Sequence, residues 1–365
     1  MIITVSERQF FLRCRRMWDI ISHNRQNLSP IGAPKIELYI GGAFHGILDE
    51  QAKGVDHLEA VDQVIAHEIG GIKERYRSAV GVDLSDSEVT IMTESEDLIR
   101  GLAGHYFAFY GTEHPLGEEY QYIGKEMSFQ LPIPNTGVSE EIGYLAGTFD
   151  GLAIHIATDG LWVVEHKTYK MKPKYEFLQT NDQMTAYVWA AQILMGVPVQ
   201  GVLYDGVRKK LPEVPVLLKN GTLSKQFIST TAAVYRGEIA RRGFSETSYQ
   251  DILGRLQERD SQDQNEFFTR WRVRVSPRAI EDFERNLTNS YLDMVSSPNI
   301  YPTFRWEGCW DCGVRNMCTA IHFGEDVDFV RTNSFRRADP YRTLRSDRYT
   351  VDESGEIISL PVGVR

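Results

Sequence analysis

Two short stretches, Gly147-Thr148-Phe149-Asp150-Gly151 and Val163-Val164-Glu165-His166-Lys167-Thr168, decide how this chain is read. They lie in segments, Tyr144 to Ile156 and Leu161 to Thr168, whose apolar and polar residues alternate with the period of a β-strand. Ala157-Thr158-Asp159-Gly160 between them carries a turn signal, so the pair is expected as a β-hairpin. With a two-residue Asp159-Gly160 loop, Ala153 faces His166, Ile154 faces Glu165 and Leu152 faces Lys167. Directly opposed residues share a face, and Asp150 lies on the Leu152 face, so Asp150, Glu165 and Lys167 converge. A four-residue loop keeps that parity; a three-residue loop would turn Asp150 to the other face.

Two carboxylates and a lysine on one pleated face would make a costly core, because buried charges need partners or a metal. The set suits a hard cation. Carboxylates, a carbonyl and retained waters fit Mg²⁺ or Mn²⁺, while the lysine can polarise a water and offset charge on a phosphate. The competing reading is a solvated strand face carrying a salt bridge.

Working outward, Thr180 to Met195 returns to helical spacing, with Thr180 and Gln183 in capping-box positions and Gly196 and Pro198 at the stop. Gln183 and Tyr187 share one face of this helix. They would present an amide and a phenol to the hairpin, or simply serve as cap and core. Upstream, Gly41-Gly42-Ala43-Phe44-His45 places a histidine on an apolar helix, where a satisfied core residue is the alternative. Ser6 to about Ile21 reads as one helix with Ser6 as N-cap, and further helices are expected at about Ile40 to Lys53, Leu58 to Tyr76 and Glu94 to Tyr110. Tyr120 to Pro132 and Gln200 to Val207 read as strands, and about Ser229 to Val295 as a long helical region. Beyond Gly324 the apolar density falls, so residues 325–365 are expected as a loosely packed tail.

The chain has 365 residues, 40 basic against 50 acidic side chains, and 42% hydrophobic residues, enough for an ample core. Its longest apolar run, Ala186 to Ala191, is far short of the roughly 20 residues that span a bilayer, so no membrane helix is expected. Its N-terminus lacks the pattern of a secretory signal, and an intracellular, cytoplasmic protein is expected. A formal charge of −10 argues against non-specific coating of nucleic acid and leaves room for a local basic groove.

Cys309-x₂-Cys312-x₅-Cys318 lies near the end of the chain, and the remaining cysteine, Cys14, near its beginning. Four thiolates complete either a [4Fe–4S] cluster or a Cys₄ Zn²⁺ site, and a three-thiolate site without Cys14 is a further alternative. Zinc ribbons generally use two C-x₂-C knuckles; the single one here tilts the reading toward iron–sulfur.

In that order and context, Gly42-x-x-His45, Gly147-x-x-Asp150, Glu165-x-Lys167-Thr168 and Gln183-x-x-x-Tyr187 resemble the RecB-like branch of the PD-(D/E)XK nucleases over roughly residues 1–324. The resemblance implies a restriction-endonuclease-like α/β core, a mixed central sheet flanked by helices, with a helical insertion at about 50–115. It implies Mg²⁺- or Mn²⁺-dependent DNA hydrolysis with His45, Asp150 and Glu165 as metal ligands, assisted by the His166 carbonyl. Lys167 would position the attacking water, and Gln183 and Tyr187 would steady the lysine and the DNA backbone. Phe149 stands where the family name has proline, at a position variable in this branch.

The cysteine layout resembles AddB-type helicase–nuclease subunits and CRISPR-adaptation nucleases, although Arg15 replaces the usual proline after the first cysteine. It implies a structural [4Fe–4S] staple joining both ends of the domain. The expected activity is exonucleolytic, in recombination, repair or phage DNA processing inside a bacterium or phage-infected host, with a helicase or recombination protein as a possible partner and the oligomeric state open. The alternatives are a non-catalytic DNA-end-binding subunit of such a complex and a zinc-stabilised enzyme of other chemistry. Basic clusters occur at Arg13/Arg15/Arg16, Lys170/Lys172/Lys174, Arg208/Lys209/Lys210 and Arg270/Arg272/Arg274; the lysines, just after Lys167, are the expected phosphate contacts.

Overall fold

Thr4 ends a three-residue strand, β1 (Ile2–Thr4), and caps the helix α1 (Val5–Arg13) by accepting the Glu7 N–H at 3.0 Å, the role expected of Ser6. The computed structural model describes residues 1–31, 36–80, 85–112, 116–134, 142–261, 265–296, 299–337, 350–351 and 357–359. The single helix expected to Ile21 is two, because Cys14 is extended (φ −165°, ψ 114°) between α1 and α2 (Arg15–Ile21). Cys14 closes one helix and opens the next: its N–H donates to Phe10 and its carbonyl accepts from Trp18. A short strand, β2 (Leu28–Pro30), follows.

Three long helices come next, α3 (Ile36–Ala52), α4 (His57–Val80) and α5 (Asp86–Tyr110), in agreement with the expected helical region. The last starts earlier than its apolar spacing suggested, because Ser85 and Glu88 form a capping box ahead of it.

The central sheet is mixed, with β3 (Tyr120–Pro132), β4 (Tyr144–His155), β5 (Gly160–Tyr169), β6 (Val199–Arg208) and β7 (Phe268–Arg274) joining β1. Strand β3 runs antiparallel along one edge of β4. The other edge is divided: β1 pairs in parallel with Tyr144–Ala146, and β5 pairs antiparallel with Gly151–His155. Asp150 therefore sits at a fork, where β4 leaves one partner and meets the next. Strand β6 adds in parallel to β5, and β7 antiparallel to β6. Strand β7 corrects the long helical region expected over Ser229 to Val295. Its sequence, FTRWRVR, alternates: Thr269, Trp271 and Val273 share one face and Phe268, Arg270 and Arg272 the other.

Helices pack on both faces of the sheet. After the small α6 (Tyr175–Gln179) come α7 (Asp182–Met195), then α8 (Ala232–Arg241) and α9 (Gln250–Ser261), and α10 (Pro277–Ser296). Leu152, Val163 and Val202 of one sheet face bury against α1, α7 and α10 through residues such as Phe11, Val188 and Leu287. On the opposite face Val207 and Phe268 join Phe44, Ile99 and Tyr106 of α3 and α5. The C-terminal part runs through α11 (Trp306–Trp310), α12 (Arg315–Phe323) and α13 (Val327–Ser334) to β8 (Phe335–Arg337). Here the expectation of a loose tail from residue 325 is corrected: β8 pairs with β2, and Phe335 is buried with Ile20, Leu28 and Met317. The rest of that tail lies outside the described residues, apart from a small ribbon at Thr350–Val351 and Ile357–Ser359. Among the described residues no helix is long and apolar enough to cross a membrane.

Candidate metal centre

The hairpin that carries the site turns through four residues, Ile156 to Asp159, with Asp159 at φ 51° and His155 paired to Gly160. The two-residue loop, and with it the Ala153–His166, Ile154–Glu165 and Leu152–Lys167 pairings, is thereby corrected. The parity survives because the loop lengthened by an even number. Continuing the observed register one step past Gly151–Val164 sets Asp150 across from Glu165, with Lys167 two residues further on the same face.

At the fork the Asp150 side chain replaces a ladder acceptor: its Oδ2 accepts the His166 backbone N–H at 2.7 Å. The N–H and C=O of one extended residue point to the same side, so the His166 carbonyl also faces this side of β5. The other Asp150 oxygen, Oδ1, lies 3.3 Å from His45 Nδ1. Helix α3 delivers that histidine by packing directly on β5. A Cβ on Gly41 would stand 3.2 Å from Thr168 Oγ1, whereas one on Gly42 would meet nothing within 4 Å. Gly41 is thus the glycine that the helix–strand approach requires.

Glu165 is 1% exposed and forms an ion pair with Lys167. Gln183 Nε2 donates to the Tyr187 hydroxyl at 2.9 Å and to Glu165 Oε1 at 3.3 Å. Gln183 can do so because it does not cap the helix. The expected Thr180–Gln183 capping box is corrected: Asn181 is the N-cap, its Oδ1 accepting from the Gln183 and Met184 N–H groups. An ion pair between Asp182 and the buried Arg8, which also donates to Ser290, ties this end of α7 to α1 and α10.

Burial pushes the Glu165 carboxyl up to about 7, with Lys167 pulling the other way. Burial also acts against the charge on Asp150, yet His45, His166 and Lys167 hold that carboxyl well below the usual carboxylate range. Burial opposes the charge on His45 and Lys167 as well, and the facing carboxylates raise both. Two neighbouring carboxyls are thus driven in opposite directions inside one charged cluster.

Sequence reasoning missed a third carboxylate. Glu126, on β3, has a ligand oxygen within 4.8 Å of ligand atoms of His45 and Asp150, and all three residues are half-buried. Lys125 pairs with Gly151 and Met127 with Phe149, which places Glu126 opposite Asp150. Its φ of 46° is left-handed, a conformation that costs a non-glycine residue about 1–3 kcal/mol and tends to persist at functional sites. No signal in YQYIGKEMSFQLP marks that backbone.

The ring of His166 lies on the other face of β5, where Nδ1 is 2.9 Å from Asp205 Oδ2 and Nε2 is 3.1 Å from the Tyr122 hydroxyl. Asp205, fully buried, also accepts from Tyr106 at 2.6 Å and from Arg270 Nε at 3.0 Å. Burial works against its charge, and Arg270 and His166 hold it down to about 2. Arg270 is therefore an internal partner, and Arg272 pairs with Glu119 at 2.6 Å. Of the three lysines after the hairpin, Lys170 and Lys174 are exposed, while Lys172 donates to the Asn265 carbonyl at 3.0 Å and lies over the Trp271 ring.

The cysteines share one neighbourhood at the far end of α1. Cys14 Sγ accepts the Thr303 N–H at 3.3 Å, Cys309 Sγ lies 3.9 Å from the Thr303 carbonyl, and Arg16 reaches Cys318 Sγ at 4.0 Å. Burial raises the Cys318 thiol, Arg16 lowers it, and Cys14 and Cys312 are close enough to raise it further. Among the described residues, no three of these sulfurs approach within 4.8 Å of one another. No protein-family model matches this chain, and no curated protein matches it either.

Proposed function

We propose that this chain is a Mg²⁺- or Mn²⁺-dependent deoxyribonuclease with a PD-(D/E)XK core of the RecB-like type, digesting DNA from its ends in recombination, repair or phage DNA processing. The observation that carries this reading is the placing of two pairs at the β4–β5 fork, His45 with Asp150 and Glu165 with Lys167, with Gln183 joining Glu165 to Tyr187. The donor set fits a hard cation: an imidazole, two carboxylates and a backbone carbonyl on one side of a strand. Held by His45, Asp150, Glu165 and the His166 carbonyl, the ion would polarise the scissile phosphate and acidify a water.

The protein's own groups supply the rest. Lys167 orients the attacking water and offsets the negative charge that builds on the phosphoryl oxygens as the new P–O bond forms and the bridging P–O bond breaks. Gln183 fixes Glu165 and the Tyr187 hydroxyl, so the lysine has one partner geometry. Lys170 and Lys174, exposed just beyond β5, contact the DNA backbone.

In the same reading Cys14, Cys309, Cys312 and Cys318 hold a [4Fe–4S] cluster, with Zn²⁺ as the alternative. It would tie the break between α1 and α2 to α11 and α12 and restrict the unfolded chain. End-labelled single- and double-stranded DNA incubated with Mn²⁺ tests the activity. Progressive shortening that Asp150→Asn removes is the expected result. Uncut DNA that the chain nevertheless retains would replace this reading with a non-catalytic end-binding one.

A further inference from the structure

We propose that Glu126 is a further direct ligand of the divalent cation, joining His45 and Asp150 in the seat described above. The inference deepens the reading above and rests on its metal-binding part. Three facts meet at this residue. Its carboxylate, the His45 imidazole and the Asp150 carboxylate offer ligand atoms within 4.8 Å of one another. The β3–β4 register fixes Glu126 opposite Asp150, because Lys125 and Met127 on either side are paired to Gly151 and Phe149. Its backbone is left-handed at φ 46°, although it lies within a strand, where an extended residue would sit without strain.

Mg²⁺ takes ligands at roughly 2.0–2.1 Å, so two ligands of one ion lie at most about 4.2 Å apart and atoms within 4.8 Å of one another draw together when they bind it. Glu126 comes from β3, so the seat draws on helix α3, strand β3 and the β4–β5 hairpin.

The test is Mn²⁺ affinity without DNA, followed by electron paramagnetic resonance of the free ion. It compares wild type with Glu126→Gln, which keeps the shape and removes the charge, and Glu126→Gly, which suits the left-handed backbone and removes the ligand. Both variants are expected to bind Mn²⁺ at least tenfold more weakly while the metal-free proteins keep the wild-type circular dichroism spectrum. Wild-type affinity in both variants would overturn the proposal, as would a wild-type chain that binds no Mn²⁺. Should Glu126→Gln fail to fold, the glycine variant decides alone. Weakened binding in a chain that leaves DNA intact would retain Glu126 as a ligand and reject the nuclease reading. Digestion by Glu126→Gln at the wild-type Mn²⁺ requirement would do the reverse.

Discussion

Asp150 and His166 are tied side chain to backbone: Asp150 Oδ2 accepts the His166 N–H at 2.7 Å at the point where β4 exchanges β1 for β5. This bond holds the splayed strands at a fixed opening. It also leaves Asp150 Oδ1 turned toward His45. His166 is itself gripped from behind by Asp205 and Tyr122, so the candidate centre and the buried polar network share one residue.

Removing Asp205 should therefore act on stability first. Asp205→Ala takes from the half-buried Arg270 its fully buried ion-pair partner, a change that costs up to roughly 3–5 kcal/mol. Urea denaturation of the variant measures it. A loss under about 1 kcal/mol would mean that Arg270 reaches water or another acceptor.

The pH dependence of stability has a definite sign at this residue. Asp205 is held down to about 2, so the unfolded chain binds its proton more readily than the native one. Its contribution, about 2–3 kcal/mol, is complete above roughly pH 4 and disappears as the pH falls toward 2. Urea midpoints between pH 5 and 2.5 should drop for the wild type more than for Asp205→Asn. Parallel curves would contradict the assignment.

Glu165 should behave in the opposite sense. Burial raises its carboxyl to about 7, so the metal-free native state holds that proton and loses stability as the pH rises through 7. A bound divalent ion favours the ionised form, so the rise in Tm produced by Mg²⁺ should be larger at pH 8 than at pH 5.5. A Tm rise that does not change with pH would place the ion elsewhere.

Capping of α7 separates two neighbouring residues. Asn181→Ala should cost about 1 kcal/mol and, by loosening the first turn that carries Gln183, should also slow DNA cleavage. Thr180→Ala, whose hydroxyl reaches only the Phe177 carbonyl at 3.3 Å, should be nearly neutral in both respects. Equal effects would return the cap to Thr180.

These residues show what the sequence made legible. The alternation around Asp150 and Glu165 brought out the hairpin and the shared face, because side-chain parity survives a change of loop length by two. The mixed sheet with helices on both faces was what the resemblance implied. Turn length, and hence which residue faces Glu165, was beyond it, since Ala157-Thr158-Asp159-Gly160 is compatible with both loops. Strand β7 was hidden because its three arginines read as the polar side of a helix, when Arg270 and Arg272 are on a strand and engaged by Asp205 and Glu119. Glu126 left no mark, because nothing local tells a glutamate to adopt a left-handed backbone. The choice of Asn181 over Thr180 turned on a one-residue difference in where the helix begins.

The cysteine assignment makes a compositional prediction. Anaerobic purification should give a brown protein with about four irons per chain, and Cys312→Ser should lose the iron and much of its solubility. Stoichiometric zinc with no iron would replace the cluster with a zinc site.

The central claim is that Lys167 works beside a cation at the fork, and a single-turnover assay tests it most directly. End-labelled DNA mixed with excess protein and Mn²⁺ should be degraded by the wild type. Lys167→Ala should fall by at least a hundredfold while still binding Mn²⁺ and retaining its fold. A Lys167→Ala protein that digests the DNA as fast as wild type would contradict the account.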